Sequence, residues 1–386
     1  MASLLLPGAG RTLAPYTVQN APLAVSKGVP SFNRIAFAAA HVVADPLADN
    51  SPWLDQGVDW DKTIAFREYL WDLGFGVAEA MDTAQRGMGL DWPGAQELIR
   101  RSLKAAQARG ALVACGAGTD HLDLSASLTI DDVIKAYEDQ FAFIEGLGGR
   151  IILMASRALA RIAKGPDDYA KVYGRLLSQV KEPVVIHWLG DMFDPALAGY
   201  WGSKDDYQAM DTCLEILKAN AAKIDGIKIS LLSKEKEIDM RRRLPKGVRM
   251  YTGDDFNYAE LIEGDAQGYS DALLGIFDAI APAASAGLAK LAAGDVAGFN
   301  AILEPTVPLS RHIFQAPTRF YKTGVVFLAY LNGLQDHFLM LGGQQSARSL
   351  QHFAELFRLA DTARVLRDPD LAAERMRRLL AVGGIG

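Results

Sequence analysis

The stretch Asp225-Gly226-Ile227-Lys228-Ile229-Ser230-Leu231-Leu232-Ser233 sets a single lysine inside an otherwise apolar, strand-like run. Stripping water from an ammonium disfavours its charged form, so a lysine held there loses its proton more easily than one on a surface and becomes a nucleophilic amine. Such an amine condenses with a carbonyl to a Schiff base. Strand alternation sends Ile227 and Ile229 to one face and Lys228 to the other. Without its neighbours the same lysine also reads as a strand-end group reaching solvent or pairing with Asp225.

Outward from this stretch, short apolar runs alternate with longer amphipathic ones from Arg34 onward, the pattern of repeated βα units around a parallel sheet. Strands are expected at Ile35–Val43, Gly76–Ala80, Ala111–Cys115, Arg150–Ala155, Pro183–His187, Ile224–Ser230, Gly247–Tyr251 and Gln267–Ser270. Helical patterns fall between them near Trp60–Leu73, Pro93–Arg109, Thr129–Leu147, Asp167–Val180, Asp205–Ala222, Ser233–Arg243 and Asp255–Glu263. Eight units in roughly 240 residues match an α/β fold of the (β/α)8 TIM barrel type, whose reactive groups sit at the carboxyl ends of the strands. The expected organisation is an irregular lead-in over 1–33, the barrel over 34–274, and a C-terminal helical appendage over 275–386.

The chain has 386 residues, 50% of them hydrophobic, enough for a large core and too apolar for a disordered chain. A formal charge of −6 and no long basic run give no electrostatic footprint for nucleic acid or an anionic membrane. A small-molecule partner is therefore expected. Two cysteines, Cys115 and Cys213, make no disulfide framework and no metal motif, which points to a reducing cytoplasm. The apolar start breaks at Pro7 before a signal-peptide core is complete. The apolar segment Thr323–Leu341 carries Asn332, Gln335, Asp336 and His337, so no membrane span is expected.

The strand map becomes a site map. His187 ends the fifth barrel strand, where an imidazole can move protons near neutral pH or simply pack beside Trp188. The second strand ends in Glu79-Ala80-Met81-Asp82-Thr83-Ala84-Gln85-Arg86-Gly87, a polar loop suited to gripping hydroxyls or an anion. The third ends in Gly116-Ala117-Gly118-Thr119-Asp120-His121, where glycines let backbone approach a ligand. Both loops also read as turn and cap chemistry. Of Asp254 and Asp255, after the seventh strand, one faces the pocket and the other caps the next helix; Asp254 is taken as the ligand-facing one, and Ser270 as a group at the eighth strand end. The chain has no Walker loop, nucleophile elbow or His-Glu-x-x-His, and the glycine pairs fall short of a dinucleotide fingerprint.

Gly226-Ile227-Lys228 on the sixth strand, Gly253-Asp254-Asp255 on the seventh, and a helical tail together resemble the dihydrodipicolinate synthase and N-acetylneuraminate lyase superfamily of class I aldolases, over about residues 34–330. Gly57-Val58-Asp59 with Gly74 resembles that family's entry into its first βα unit, and Pro317-Thr318-Arg319-Phe320-Tyr321-Lys322 its late Pro-and-Lys stretch. The chain is most similar to a divergent, uncharacterised dihydrodipicolinate synthase-like branch. The resemblance implies an imine on Lys228, no separate cofactor, and a homodimer or homotetramer. Two departures qualify it. His187 stands where the family carries a tyrosine as proton relay, and the family's Gly-Thr-Thr-Gly-Glu carboxylate loop is replaced by Asp82-Thr83-Ala84-Gln85-Arg86, which keeps one hydroxyl, loses the freeing glycine and offers Arg86 as a different anion ligand. These changes argue against dihydrodipicolinate synthesis as the reaction.

The expectation is thus an aldolase or dehydratase acting on a keto acid or keto-sugar derivative. Lys228 is its nucleophile and His187 its acid/base, with Glu79, Asp82, Thr83, Arg86, Asp120, His121, Asp254 and Ser270 around the substrate. The alternative is a metal-dependent sugar isomerase or epimerase with a divalent ion among Glu79, Asp82, Asp120, His121 and His187. A third reading is a sugar-binding barrel that has lost its reaction.

Overall fold

The computed structural model describes residues 2–24 and 28–385. Numbered from the N-terminus, β1 (Ser3–Pro7) and β2 (Leu13–Thr17) form an antiparallel hairpin. They are followed by β3 (Ala36–Ala39), β4 (Gly76–Glu79), β5 (Val113–Ala117), β6 (Arg150–Leu153), β7 (Val184–Leu189), β8 (Ile224–Ser230), β9 (Arg249–Thr252) and β10 (Asp271–Leu274). The last eight are parallel and close in chain order, β10 pairing with β3, so the protein is a (β/α)8 barrel. Its strands are short apolar runs because helices cover one face and the packed lumen the other.

Local chemistry sets the helix ends. Helix Trp92–Arg109 starts where the Asp91 carboxylate accepts the Gly94 amide, carries Pro93 in its first turn, and stops at Gly110 with φ 63°, a left-handed conformation that glycine adopts freely. Helix Ile130–Gly146 opens with a reciprocal Thr129–Asp132 capping box. Inside the barrel, Phe37, Ala78, Ile152, Val185, Tyr251 and Leu273 plug the lumen, while Ile227 and Ile229 join the outer core as the alternation requires. Reactive side chains can therefore stand only above that plug, at the strand carboxyl ends.

Two expectations are corrected. Gln267–Ser270 is a turn: Gly264 and Gly268 have φ of 87° and 149°, and Asp265 bridges Gly268, so the eighth barrel strand starts only at Asp271. Ser270 consequently precedes the strand at its amino end and bonds Glu237, away from the mouth. The lead-in is also not irregular throughout, because β1 buries Leu4 and Leu6 while the hairpin is tied to the C-terminal helices through Tyr16 Oη to Asp361 (2.7 Å) and Arg358 to the Pro7 carbonyl (2.8 Å).

Among the described residues no strand follows Leu274. The helical region is joined to the barrel mouth: Asp278 accepts both the His41 amide (2.7 Å) and its Nδ1 (2.8 Å), and His41 Nε2 meets Gln335 (3.2 Å). His41 is thereby consumed as a strut. Among the described residues no helix is long and apolar enough to cross a membrane, and both cysteines are free and buried.

Candidate active site around Lys228

Lys228 and His187 face each other across the β7–β8 ladder, both pointing into the lumen. His187 is buried, and its Nε2 lies 3.3 Å from Ser230 Oγ, two residues beyond Lys228 on the same face. Burial, reinforced by the Lys228 ammonium, holds the His187 pKa well below the usual histidine value, so the imidazole is neutral at physiological pH. The Lys228 side chain runs over Gly253: a Cβ there would come within 2.6 Å of Lys228 Cε and 2.3 Å of Ser230 Oγ. Glycine is required at that position by space.

The Lys228 amine has no hydrogen-bond or ion-pair partner among the described residues, and it is not among the sealed, unpartnered polar atoms; 7% of the residue stays open to solvent. Burial lowers its pKa, opposed by the Asp255 and Asp82 carboxylates. Asp255 is itself raised to about 7, chiefly by burial and against the pull of Lys228, while its Oδ1 accepts the Ile276 amide at 2.9 Å. An amine that burial makes easier to deprotonate thus lies within the electrostatic reach of a carboxyl group that burial makes easier to protonate.

A cavity of 90 Å³ opens over His187 and is lined also by Asp82, Thr119, Met154, Arg157 and Leu189. A 420 Å³ cavity shares Asp82, Arg157, Leu189 and Asp194 with it and is bounded by Arg319, Tyr321 and Lys322 from the helical region. Lys228 belongs to neither wall; it stands one strand over from His187.

The expected ligand residues divide into three groups. Asp82 and Thr83 are at the mouth: Asp82 borders both cavities, and Thr83 Oγ1 meets Tyr321 Oη at 2.8 Å. Arg86 and Asp120 border the smaller cavity but are engaged with each other, Arg86 Nε and Nη2 reaching the two Asp120 oxygens at 2.9 and 2.7 Å while Nη1 and Nη2 also bond the Gly116 carbonyl and Gln140. Burial pushes the Asp120 pKa up, but Arg86 outweighs it and holds the carboxyl low. Arg86 therefore braces the loops, with no donor left over for an anion. His121 lies on the exposed rim, its Nδ1 2.9 Å from Gln140.

The third group is withdrawn from the mouth. Glu79 is fully buried in a two-pronged pair with Arg67 (2.9 Å on each oxygen) and also accepts from Ser102 and the Ala80 amide. Asp254 is turned back on its own loop, accepting the Phe256 and Asn257 amides (2.8 and 3.0 Å) and the Asn257 side-chain amide (2.8 Å) ahead of helix Tyr258–Glu263, so Asp255, not Asp254, is the acid of the pair whose charge acts on Lys228. Ser270 is displaced with its strand. The five expected metal ligands thus do not converge, and among the described residues no three His, Cys, Asp or Glu side chains are gathered for a metal ion.

Sequence reading missed Arg157, Asp194, Tyr321 and Lys322 as mouth residues. Arg157 and Asp194, which pair with each other, follow β6 and β7 and were within reach of the strand-end rule. Tyr321 and Lys322 return from a helix some fifty residues past the barrel; the Pro317–Lys322 stretch is legible as a family likeness, but nothing in its local pattern places it at the mouth.

Comparison with solved structures finds the same fold in dihydrodipicolinate synthases at low identity. The 4-hydroxy-tetrahydrodipicolinate synthase of Methylacidiphilum fumariolicum SolV superposes with a TM-score of 0.64 at 15% identity, covering 90% of this chain and 97% of that one. The chloride-inhibited dihydrodipicolinate synthase of Acinetobacter baumannii, complexed with pyruvate, gives 0.62 at 18% identity over 86% and 98%. The Oceanobacillus iheyensis enzyme gives 0.62 at 15% over 85% and 95%. No curated protein matches the sequence. A family model described as a protein of unknown function, DUF993, matches residues 4–385, and the chain belongs to that family.

Proposed function

We propose that this protein is a Schiff-base lyase, an aldolase or dehydratase, that binds a keto acid or keto-sugar derivative through Lys228. The observation that carries this reading is the Lys228 amine, desolvated and without a partner among the described residues at the carboxyl end of a barrel strand, with His187 and Asp255 beside it. The shared fold of the dihydrodipicolinate synthases supports it at the level of architecture.

The neutral amine adds to the substrate carbonyl carbon, forming the C–N bond as the C=O π bond opens and one of the two N–H protons is passed to the carbonyl oxygen. The hydroxyl of the resulting carbinolamine then leaves as water with one further proton, and the nitrogen keeps its bond as a protonated imine. Asp255, whose carboxyl is held above the usual carboxylate range by burial, is suited to supply that proton and take it back. The imine withdraws electrons from the adjacent C–C or C–H bond more strongly than a neutral ketone does, and neutral His187 on the facing strand is the base that takes the proton released there. No observation favours the metal-dependent isomerase over this, since Glu79 and Asp120 are held by arginines.

Borohydride reduction during incubation with a panel of 2-keto acids and keto sugars tests the reading. A mass gain equal to the reduced adduct, absent from Lys228→Met, is expected with at least one compound. A folded protein that gains no mass across the panel would falsify the reading.

A further inference from the structure

We propose that the 420 Å³ cavity bordered by Arg157, Arg319 and Lys322 is an anion subsite, so that the carbonyl compound taken by this protein carries a carboxylate or phosphate remote from its carbonyl carbon. The inference deepens the Schiff-base reading, which it needs only for the carbonyl end.

The charges in the cavity do not balance internally. Three cations and two acids, Asp82 and Asp194, border it. Asp194 is bound by Arg157 Nε, leaving both Arg157 Nη groups without a partner among the described residues. Lys322 is 4% exposed, yet its Nζ finds only the Arg319 carbonyl at 3.1 Å and the Met88 sulfur at 3.5 Å, with no carboxylate within ion-pair reach. A buried ammonium in that state is costly and is stabilised by an incoming anion. Burial holds its pKa down to about 8, opposed by Asp82 and reinforced by Arg157, so it is mostly charged at neutral pH. Arg319 is exposed and makes no ion pair among the described residues. Tyr321 and Lys322 also open an eleven-residue helix whose start lacks a side-chain cap, which adds partial positive charge.

The fourth border residue fixes the shape of the guest. Asp82 lines both cavities and acts electrostatically on Lys228 and on Lys322, so it stands between the carbonyl end and the anionic end. A carboxylate there repels a second anion and accepts hydroxyl donors. The substrate class is therefore a short hydroxylated chain with a carbonyl toward Lys228 and an acid group toward Lys322.

Calorimetry on the full chain in chloride-free buffer, with inorganic phosphate and glutarate as probes, tests the subsite. Binding of phosphate alone identifies a phosphate tail, and binding of glutarate alone a carboxylate tail. Loss of a charge-assisted contact predicts that Lys322→Met weakens the bound probe about tenfold or more. The exposed Arg319→Gln, which leaves the core untouched, is expected to weaken it a few-fold, and Lys228→Met to keep it within about threefold. In borohydride trapping, dihydroxyacetone phosphate or 2-oxoglutarate is expected to outpace its neutral or shorter counterpart, dihydroxyacetone or pyruvate, and Lys322→Met to erase that preference. Probe affinity unchanged in both the Lys322 and Arg319 variants, or no binding of either probe by the wild type, overturns the subsite. Probe binding without any adduct on Lys228 instead sinks the Schiff-base reading and leaves the subsite standing.

Discussion

Glu79→Gln is expected to destabilise the protein without altering the site. Glu79 and Arg67 are both completely buried, joined by two 2.9 Å bonds, with Ser102 and the Ala80 amide on the remaining lone pairs. Glutamine keeps the shape but leaves a guanidinium in the core without counter-charge, and breaking a buried pair in this way costs about 3–5 kcal/mol. Unfolding entropy near 2.1 cal/mol/K per residue over 386 residues amounts to about 0.8 kcal/mol/K, so the melting temperature should fall by roughly 4–6 °C. Replacing both partners with apolar residues, Arg67→Met with Glu79→Leu, should recover part of the loss, because no unpaired charge remains. Thermal unfolding followed by circular dichroism measures all three variants. A Glu79→Gln protein that melts with the wild type but loses ligand binding would show that the carboxylate serves the mouth and that the closed pair is misread.

Further outcomes follow from the same geometry. Glu237 is buried between Ser270 and Thr252 with its pKa raised to about 8 from 4.5; the folded state thus binds the extra proton, and stability falls as pH rises across that window by up to about 1.4 kcal/mol per unit. Glu237→Gln, which cannot ionise, should match the wild type near pH 4.5 and exceed it at pH 8, as denaturant midpoints will show; equal midpoints at both values exclude a buried, protonated Glu237. His187→Asn should slow turnover of any substrate that labels Lys228 by about 10²–10⁴ while leaving the melting temperature close to wild type. Because burial keeps His187 neutral, its ring carbon protons should not titrate between pH 8 and 6 by NMR. Gly253→Ala puts a methyl group against Lys228 Cε and Ser230 Oγ, and should cut adduct formation more than it cuts stability; the reverse order would argue that Gly253 serves packing alone.

The barrel was legible because its signal is repetitive. Seven of the eight expected strands overlap observed ones, and helices such as Trp60–Asp72 and Lys234–Arg243 sit within a residue or so of their expected ends, where Asp59 and Ser233 supply caps that can be read directly. The eighth strand was misplaced because Asp271-Ala272-Leu273-Leu274 runs without a break into the apolar Gly275-Ile276-Phe277, which masks where strand gives way to helix. The β1–β2 hairpin was obscured by Pro15, which an exposed two-stranded ribbon tolerates and a central strand does not. At the site, Lys228 and His187 were readable from type and strand position. What was not readable is which partner each charge takes. Arg67 and Glu79 are twelve residues apart on a helix and a strand, and Arg86 meets Asp120 across two loops; sequence spacing does not encode either meeting. Choosing between Asp254 and Asp255 needed the Ile276 amide, twenty-one residues away.

Two buried lysines with lowered pKa values stand at this mouth, Lys228 and Lys322, and only the first is proposed to take the covalent step. Peptide-level mass spectrometry after borohydride trapping separates them. The reduced adduct is expected on the peptide containing Lys228 and not on that containing Lys322; an adduct confined to Lys322, or persisting in full in Lys228→Met, overturns Lys228 as the nucleophile.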